Sequence, residues 1–233
     1  MAERPLYIPL NDGDLLVKTV LVEFHWHPGM AISQKQRSVS SLHHAAIEEK
    51  LCESPLEVST KSQTELGMSL SAFNLQAMTK KHNVKFTVET AYQSSKVFEC
   101  GGPYTDLLHT TSMKAKQDPR IQESGVLRKF SFFGEDWPLE PKTAFYDWLY
   151  LNALHKNEKA VAALSAYDAF TDIEFNPKKS INCQAYSVAL YRSLQYRGLL
   201  QDVIGDRTAY FDVIASLPVC NTRENTQLQP RLI

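Results

Sequence analysis

Three residues in one short stretch, Glu89, Gln93 and Lys96, offer an acid, an amide and an amine. At about 100° per residue, a helix over residues 86–98 would hold all three within roughly 60° of one another, with Val88, Ala91, Tyr92 and Phe98 on the neighbouring arc. Such a face borders the apolar stripe and lies at the rim of a core, where clefts form. A rim carboxylate carries protons usefully, because partial burial raises its pKa into a working range. The amine has two uses: as a cation it steadies negative charge, and as a neutral base it attacks an electrophilic carbon. Gly101-Gly102-Pro103 then stops the helix and permits a close backbone approach at the same end. The same spacing also suits an ordinary solvated helix surface.

Other stretches carry weaker signals. Residues 33–40, Ser-Gln-Lys-Gln-Arg-Ser-Val-Ser, are dense in the hydroxyl, amide and cationic groups that grip phosphate oxygens. Lys35 and Arg37 are the sharpest candidates for nucleic-acid phosphate contacts, against the reading of a solvated loop. Thr60-Lys61-Ser62 either presents hydroxyls and Lys61 to a ligand or simply turns the chain. Phe73 or Tyr104 could stack on a base, although burial is the commoner fate of an aromatic ring. His25 and His27 share a strand face, but no third ligand follows at useful spacing, so no metal site is expected.

The elements that must position these groups read as follows. Leu15 to Trp26 alternates, with Val20, Val22, Phe24 and Trp26 on one side, and reads as a strand closed by Pro28-Gly29. A helix beginning near Ser41 carries Leu42, Ala45, Ala46 and Leu51, with His43 and His44 on its surface and rim. Short strands are expected at Leu56–Ser59 and Val84–Thr87, with Leu70–Leu75 a strand or its exit loop, the last two leading into the Glu89 helix. After the Gly-Gly-Pro turn, Asp106 would cap a helix reaching Lys116. Leu127–Phe133 reads as a strand. Pro141 opens a helix to Leu154 that is apolar on most sides and therefore central. Further helices are expected from Asn157 or Glu158 to Phe170 and from Ile181 to Leu199. Asp206–Ala215 alternates like a terminal strand, and the tail from Asn221 reads as loose.

The chain of 233 residues is 43% hydrophobic and 22% charged, an ordinary globular composition long enough for a substantial core. A net charge of −1 argues against coating nucleic acid non-specifically, which needs many Lys/Arg–phosphate contacts, and leaves room for a local basic patch. Cys52, Cys100, Cys183 and Cys220 form no paired motif, which favours reduced thiols and a cytoplasmic setting. No secretory segment and no apolar run of membrane-spanning length is visible. No repeat or linker divides the chain, so one domain over residues 1–233 is expected.

Residues 86–98, Phe-Thr-Val-Glu-Thr-Ala-Tyr-Gln-Ser-Ser-Lys-Val-Phe, resemble the signature of the NADAR family: an aromatic residue, Thr-Val-Glu, an aromatic, Gln and then Lys. Leu70-Ser71-Ala72-Phe73-Asn74 is similar to that family's Ser-Asn-Phe segment, with Ala72 in place of the usual Asn. Asp172-Ile173-Glu174-Phe175-Asn176 and Ser180-Ile181-Asn182-Cys183-Gln184 stand where the family has Trp-Gly and Asn-x-Leu-Gly motifs, without a Trp-Gly pair near Asn176. From Ser59 to the helix at 181–197, roughly two thirds of the chain, the pattern resembles the NADAR antitoxins encoded beside DarT toxins.

The resemblance implies a predominantly helical α+β fold, NADAR-like, with a small, mainly antiparallel sheet and a helical core. Residues 1–55 would be a subgroup-specific extension. It also implies a hydrolase that cleaves the N-glycosidic bond joining ADP-ribose to the exocyclic amino group of guanine in DNA, without cofactor or metal. Glu89, Lys96 and Glu174 would be catalytic. Lys61, Ser71, Phe73, Asn74, Gln93, Gly101, Gly102, Asn176 and Asn182 would bind substrate, although capping by Asn182 and plain exposure of Glu174 explain those two equally well. The partners would be ADP-ribosylated DNA, ADP-ribose as product and the cognate DarT toxin, with no membrane. Two alternatives stay open: an N-glycosidase acting on a small phosphorylated metabolite, and a non-catalytic antitoxin that binds its toxin.

Overall fold

The computed structural model describes residues 1–79, 83–178 and 180–217. The chain opens with β1 (Ala2–Pro9), β2 (Val17–Phe24), α1 (Ile32–Glu48), β3 (Pro55–Glu57) and α2 (Glu65–Ser69). Next come β4 (Gln76–Met78), β5 (Lys85–Thr87), α3 (Val88–Ser94), β6 (Lys96–Phe98), α4 (Ser112–Gln117), α5 (Arg120–Glu123), β7 (Leu127–Phe132) and β8 (Glu135–Trp137). The remainder is α6 (Ala144–His155), α7 (Glu158–Ala163), β9 (Ala169–Thr171), α8 (Gln184–Tyr196), α9 (Leu200–Val203) and α10 (Arg207–Ser216). Among the described residues helix covers about 43% and strand 19%, which makes this a predominantly helical α+β fold.

The largest sheet has the order β2-β1-β9-β3. β1 and β2 pair antiparallel along their full length, from Ala2 opposite Phe24 to Pro9 opposite Val17. β9 is antiparallel to β1 and parallel to β3. Successive side chains leave a strand on opposite faces, and both faces are covered here. Leu6, Val22, Phe24 and Ala169 pack with Val39, Leu42 and Ala46 of α1 on one side. Tyr7, Leu56 and Phe170 join the main core with α6 and α8 on the other. Two smaller antiparallel sheets, β4-β5 and β6-β7-β8, flank α3 in the chain.

α6 is buried nearly all round, at Phe145, Tyr146, Leu149, Tyr150, Leu151 and Leu154 among others, as its apolar sequence predicts. Phe145 lies 4.7 Å from the Phe130 ring and 5.3 Å from Trp137, tying α6 to β7 and β8.

Several elements differ from expectation. β1 has no strand signal because Pro5 and Pro9 interrupt it; both lie outside the two residues, Leu6 and Tyr7, at which β9 pairs with it. Of the two readings of residues 70–75 the loop holds: they form turns, and the strand follows at Gln76–Met78. The helix expected near residues 106–116 is broken into a 3₁₀ turn at Thr105–His109 and α4. The helix expected to reach Phe170 ends in a 3₁₀ turn at Leu164–Ala166, and Phe170 is instead a fully buried strand residue. Residues 207–216 are helical rather than extended: Asp206 accepts the Ala209 N–H as an N-cap, and Tyr210 and Ile214, four residues apart, face inward. His43 lies half-buried at the rim of α1, as expected, with its Nε2 2.8 Å from Thr171 Oγ1. The tail expected from Asn221 lies outside the described residues.

Candidate active site

The helix expected over residues 86–98 is shorter, and its end shapes the site. Thr87 caps α3, accepting the Thr90 N–H while the Thr90 hydroxyl accepts the Thr87 N–H. Ser94 and Ser95 both turn their hydroxyls back onto the Ala91 carbonyl, at 3.0 and 2.6 Å, where they compete with the helical ladder. Lys96 therefore stands on β6, paired with Phe130 of β7, and not on the helix. It still shares a cleft with Glu89 and Gln93, because β6 leaves directly from the end of α3.

The cleft has a volume of about 820 Å³. Glu89, Gln93, Lys96, Lys61, Ser71, Phe73, Glu174 and Asn182 line it. Glu89 is only 6% exposed, its N–H donates to the Ala72 carbonyl at 3.0 Å, and Gln93 Nε2 donates to Glu89 Oε1 at 2.9 Å. The Lys96 ammonium sits 4.8 Å from the centre of the Tyr92 ring. Burial lowers the Lys96 pKa to about 8, opposed by the Glu89 charge and assisted by that of Lys116. A substantial neutral fraction of this amine exists near physiological pH.

Polar groups on the walls hold one another in place. Tyr92 is edge-on to Tyr146 at 5.3 Å, and its hydroxyl accepts from Asn182 Nδ2 at 2.7 Å. Burial pushes that hydroxyl's pKa up. Asn182 thus docks onto α3 instead of capping α8, whose N-cap is Cys183. Ser71 Oγ, Gln93 Oε1 and Asn182 Oδ1 are buried without a hydrogen-bond partner among the described residues. Orphaned polar atoms of residues that line one cleft are what a ligand rich in hydroxyls would satisfy.

Glu174 stands at the exposed margin, where its Oε2 accepts from Thr60 at 3.2 Å and lies 3.8 Å from Lys61 Nζ. Behind it, Asp172 is buried and accepts the Glu174 and Phe175 N–H groups at 3.0 and 3.2 Å. Burial raises the pKa of Asp172, and so does the Glu174 charge; burial and then the Asp172 charge raise that of Glu57 below. Glu57 Oε2 accepts from Thr171 Oγ1 at 2.7 Å, the atom that also meets His43.

The other expected site residues lie off the cleft lining. Asn74 is exposed and donates to the Met68 carbonyl. Asn176 accepts the Lys178 N–H in a turn. Gly101 and Gly102 serve the backbone. A Cβ on Gly102, whose φ is +86°, would stand 2.2 Å from the Lys96 carbonyl oxygen, and one on Gly101 would stand 2.1 Å from the Tyr104 hydroxyl. Lys35 stacks on Trp26 at 4.7 Å, and Arg37 lines a separate groove.

Sequence reasoning missed Lys116, Asp172, Tyr146 and Gln184, which also line the cleft. Lys116 extends from α4 over the Phe73 ring at 5.1 Å, a contact between distant segments with no local signature. Gln184 accepts the Ala72 N–H at 2.7 Å and so fastens α8 to the loop before α3. Asp172 alone left a trace, an acid set among the apolar residues Phe170, Ile173 and Phe175.

Among the described residues no helix is long and apolar enough to cross a membrane. Residues 2–224 match the model of a family described as DarT1-associated NADAR antitoxin. No curated protein matches the chain.

Proposed function

The chain belongs to the DarT1-associated NADAR antitoxin family, and from that premise we propose that it is a hydrolase releasing ADP-ribose from the exocyclic amino group of guanine in DNA. The observation that carries this reading is the meeting of a buried carboxylate, Glu89, with an amine, Lys96, whose pKa burial has lowered to about 8. N-glycoside cleavage needs a proton for the departing nitrogen and a partner for the electron-poor anomeric carbon. Glu89 supplies the first and Lys96 the second.

Glu89 protonates the ring oxygen as its bond to the anomeric carbon breaks, and the anomeric carbon and the guanine nitrogen are left sharing a protonated imine, with Glu89 now a carboxylate. The neutral Lys96 amine adds to that carbon, Glu89 moves a proton to the guanine nitrogen, and the carbon–nitrogen bond to guanine breaks. The lysine is left as a Schiff base. Water then adds to the same carbon, Lys96 departs as the free amine, and the aldehyde closes to ADP-ribose. Gln93, bonded to Glu89, fixes the carboxylate, while Ser71 Oγ and Asn182 Oδ1 take ribose hydroxyls. Lys61 and Lys116 face the diphosphate, and Phe73 offers a ring to a base. The antitoxin would thus undo the modification made by its toxin, in the cytoplasm, using no cofactor.

The test is ADP-ribose release, followed by mass spectrometry, from oligonucleotides modified on guanine or on thymine. Release from the guanine substrate by the wild type, lost in folded Glu89→Gln and Lys96→Ala, is the expected outcome. Borohydride should trap wild type, but not Lys96→Ala, as a stable adduct. Absence of release from either substrate would sink the proposal in favour of a metabolite glycosidase or a toxin-binding antitoxin.

A further inference from the structure

The turn that places Thr60 and Lys61 in the cleft has a second side. Ser62 closes it through an N–H donated to the Ser59 carbonyl at 3.1 Å, and the next residue, Gln63, faces α1. There Gln63 Nε2 donates to the Gln36 carbonyl at 3.3 Å and to Ser40 Oγ at 3.0 Å. Gln63 is also one wall of a shallow groove of about 570 Å³, lined with His27, Gln36, Arg37, Ser40 and His44.

We propose that this groove binds the phosphodiester backbone of the DNA strand whose modified base occupies the cleft. The inference rests on the repair reaction proposed above and gives its substrate a path.

Three observations support it. The first is continuity: Lys61 and Gln63 are two residues apart, so their Cα atoms lie at most about 7 Å from each other. A nucleic-acid strand carries a charge every few ångströms, so one strand meets both depressions. The second is chemistry: the lining offers hydroxyls, amides, imidazoles and one guanidinium, and no large apolar side chain. Phosphate oxygens accept from such groups, whereas protein footprints centre on aromatic or Arg anchors packed into deep pockets, and this groove offers no Trp, Tyr or Phe. The third is the state of the cations. Arg37 is exposed and has no carboxylate partner among the described residues. Lys35 is engaged with the Trp26 ring, which Arg4 also approaches at 5.3 Å, and His44 sits 3.1 Å from Glu48. Lys35 is thus turned away to the Trp26 ring, and among the residues that line the groove Arg37 is the one with a guanidinium or ammonium group. Contact that runs along the phosphodiester backbone carries no sequence information directly, so binding should be tolerant of sequence.

The test uses the full chain and an unmodified, fluorescein-labelled single-stranded oligodeoxynucleotide of roughly 12 nucleotides, within the range such a surface covers. Anisotropy at low and rising salt is read for wild type, Arg37→Glu and, as an equal charge change on α7, Lys159→Glu, with melting curves as a check on folding. Arg37→Glu should weaken binding about tenfold, the scale of one charge-assisted contact, and lower the salt slope by about one. Lys159→Glu should bind like wild type. With a guanine-modified oligonucleotide, Arg37→Glu should raise KM and leave kcat unchanged. Equal binding by wild type and Arg37→Glu, or no binding by wild type, would overturn the proposal. Binding lost in Arg37→Glu while wild type releases no ADP-ribose would leave the groove standing and remove only the reaction.

Discussion

Burial sets the working range of the Lys96 amine. With a pKa near 8 it is neutral in about one molecule in ten at pH 7. A reaction that begins with this amine should accelerate as pH rises and level off above about 8. The charge of Lys116 contributes to that lowering. Lys116→Met should therefore raise the pKa of Lys96 and move the rising limb to higher pH. The check is a pH profile of ADP-ribose release at saturating substrate for both proteins; coincident limbs would show that Lys116 does not act on the amine. Glu89 and Gln93 were legible as residues, since their four-residue spacing puts them on one helical face, where Gln93 donates to Glu89. Lys96 was singled out by the same helical spacing, but for a reason that does not hold, because it reaches the cleft from a strand.

At the scale of elements, the site depends on where α3 stops and β6 begins. The sequence pattern runs on through Phe98 in a helical rhythm, and nothing periodic reveals that Ser94 and Ser95 recapture the Ala91 carbonyl. The Gly-Gly pair was legible as a close approach, and the neighbours it meets are the Tyr104 hydroxyl at Gly101 and the Lys96 carbonyl at Gly102. Gly102→Ala would place a methyl group 2.2 Å from the Lys96 carbonyl at a φ of +86°. It should cost more than about 1 kcal/mol of stability and lower activity further than that loss explains, by displacing β6. Melting curves paired with release rates decide this: wild-type values in both would mean that β6 does not need the contact. α10 gives the reverse lesson. Alternation over residues 206–215 is compatible with a strand, and the Asp206 cap was the better guide.

At the scale of the molecule, buried acids dominate the response of stability to pH. Burial raises Asp147 from 3.8 to about 7, and it raises Glu57 and Asp172 as well. The folded state then holds protons that the unfolded chain has released. Their stabilisation is complete below about pH 4 and is lost as pH rises through about 7. Lys96 has the opposite sign, regaining stability as pH rises from about 8 to 10.5. Urea unfolding should therefore show a lower midpoint at about pH 8 than at about pH 5, and Asp147→Asn should flatten the difference. Equal midpoints for the wild type would mean that these acids ionise freely in the fold. The helical core was legible at this scale because α6 is apolar on nearly every side. The large sheet was not, since β9 is three residues long and its partners lie far away in the chain.

That late strand also sets a timetable for synthesis. β1 and β2 can pair as soon as residue 24 leaves the ribosome, but β9, which joins β1 to β3, is made only at Ala169–Thr171. At bacterial and eukaryotic elongation speeds the early hairpin waits on the order of ten seconds with one edge open. Asp172, Asn182 and Gln184 of the cleft follow still later. A nascent chain interrupted before residue 169 lacks both a closed sheet and a cleft, so the supply of antitoxin is counted in finished chains alone.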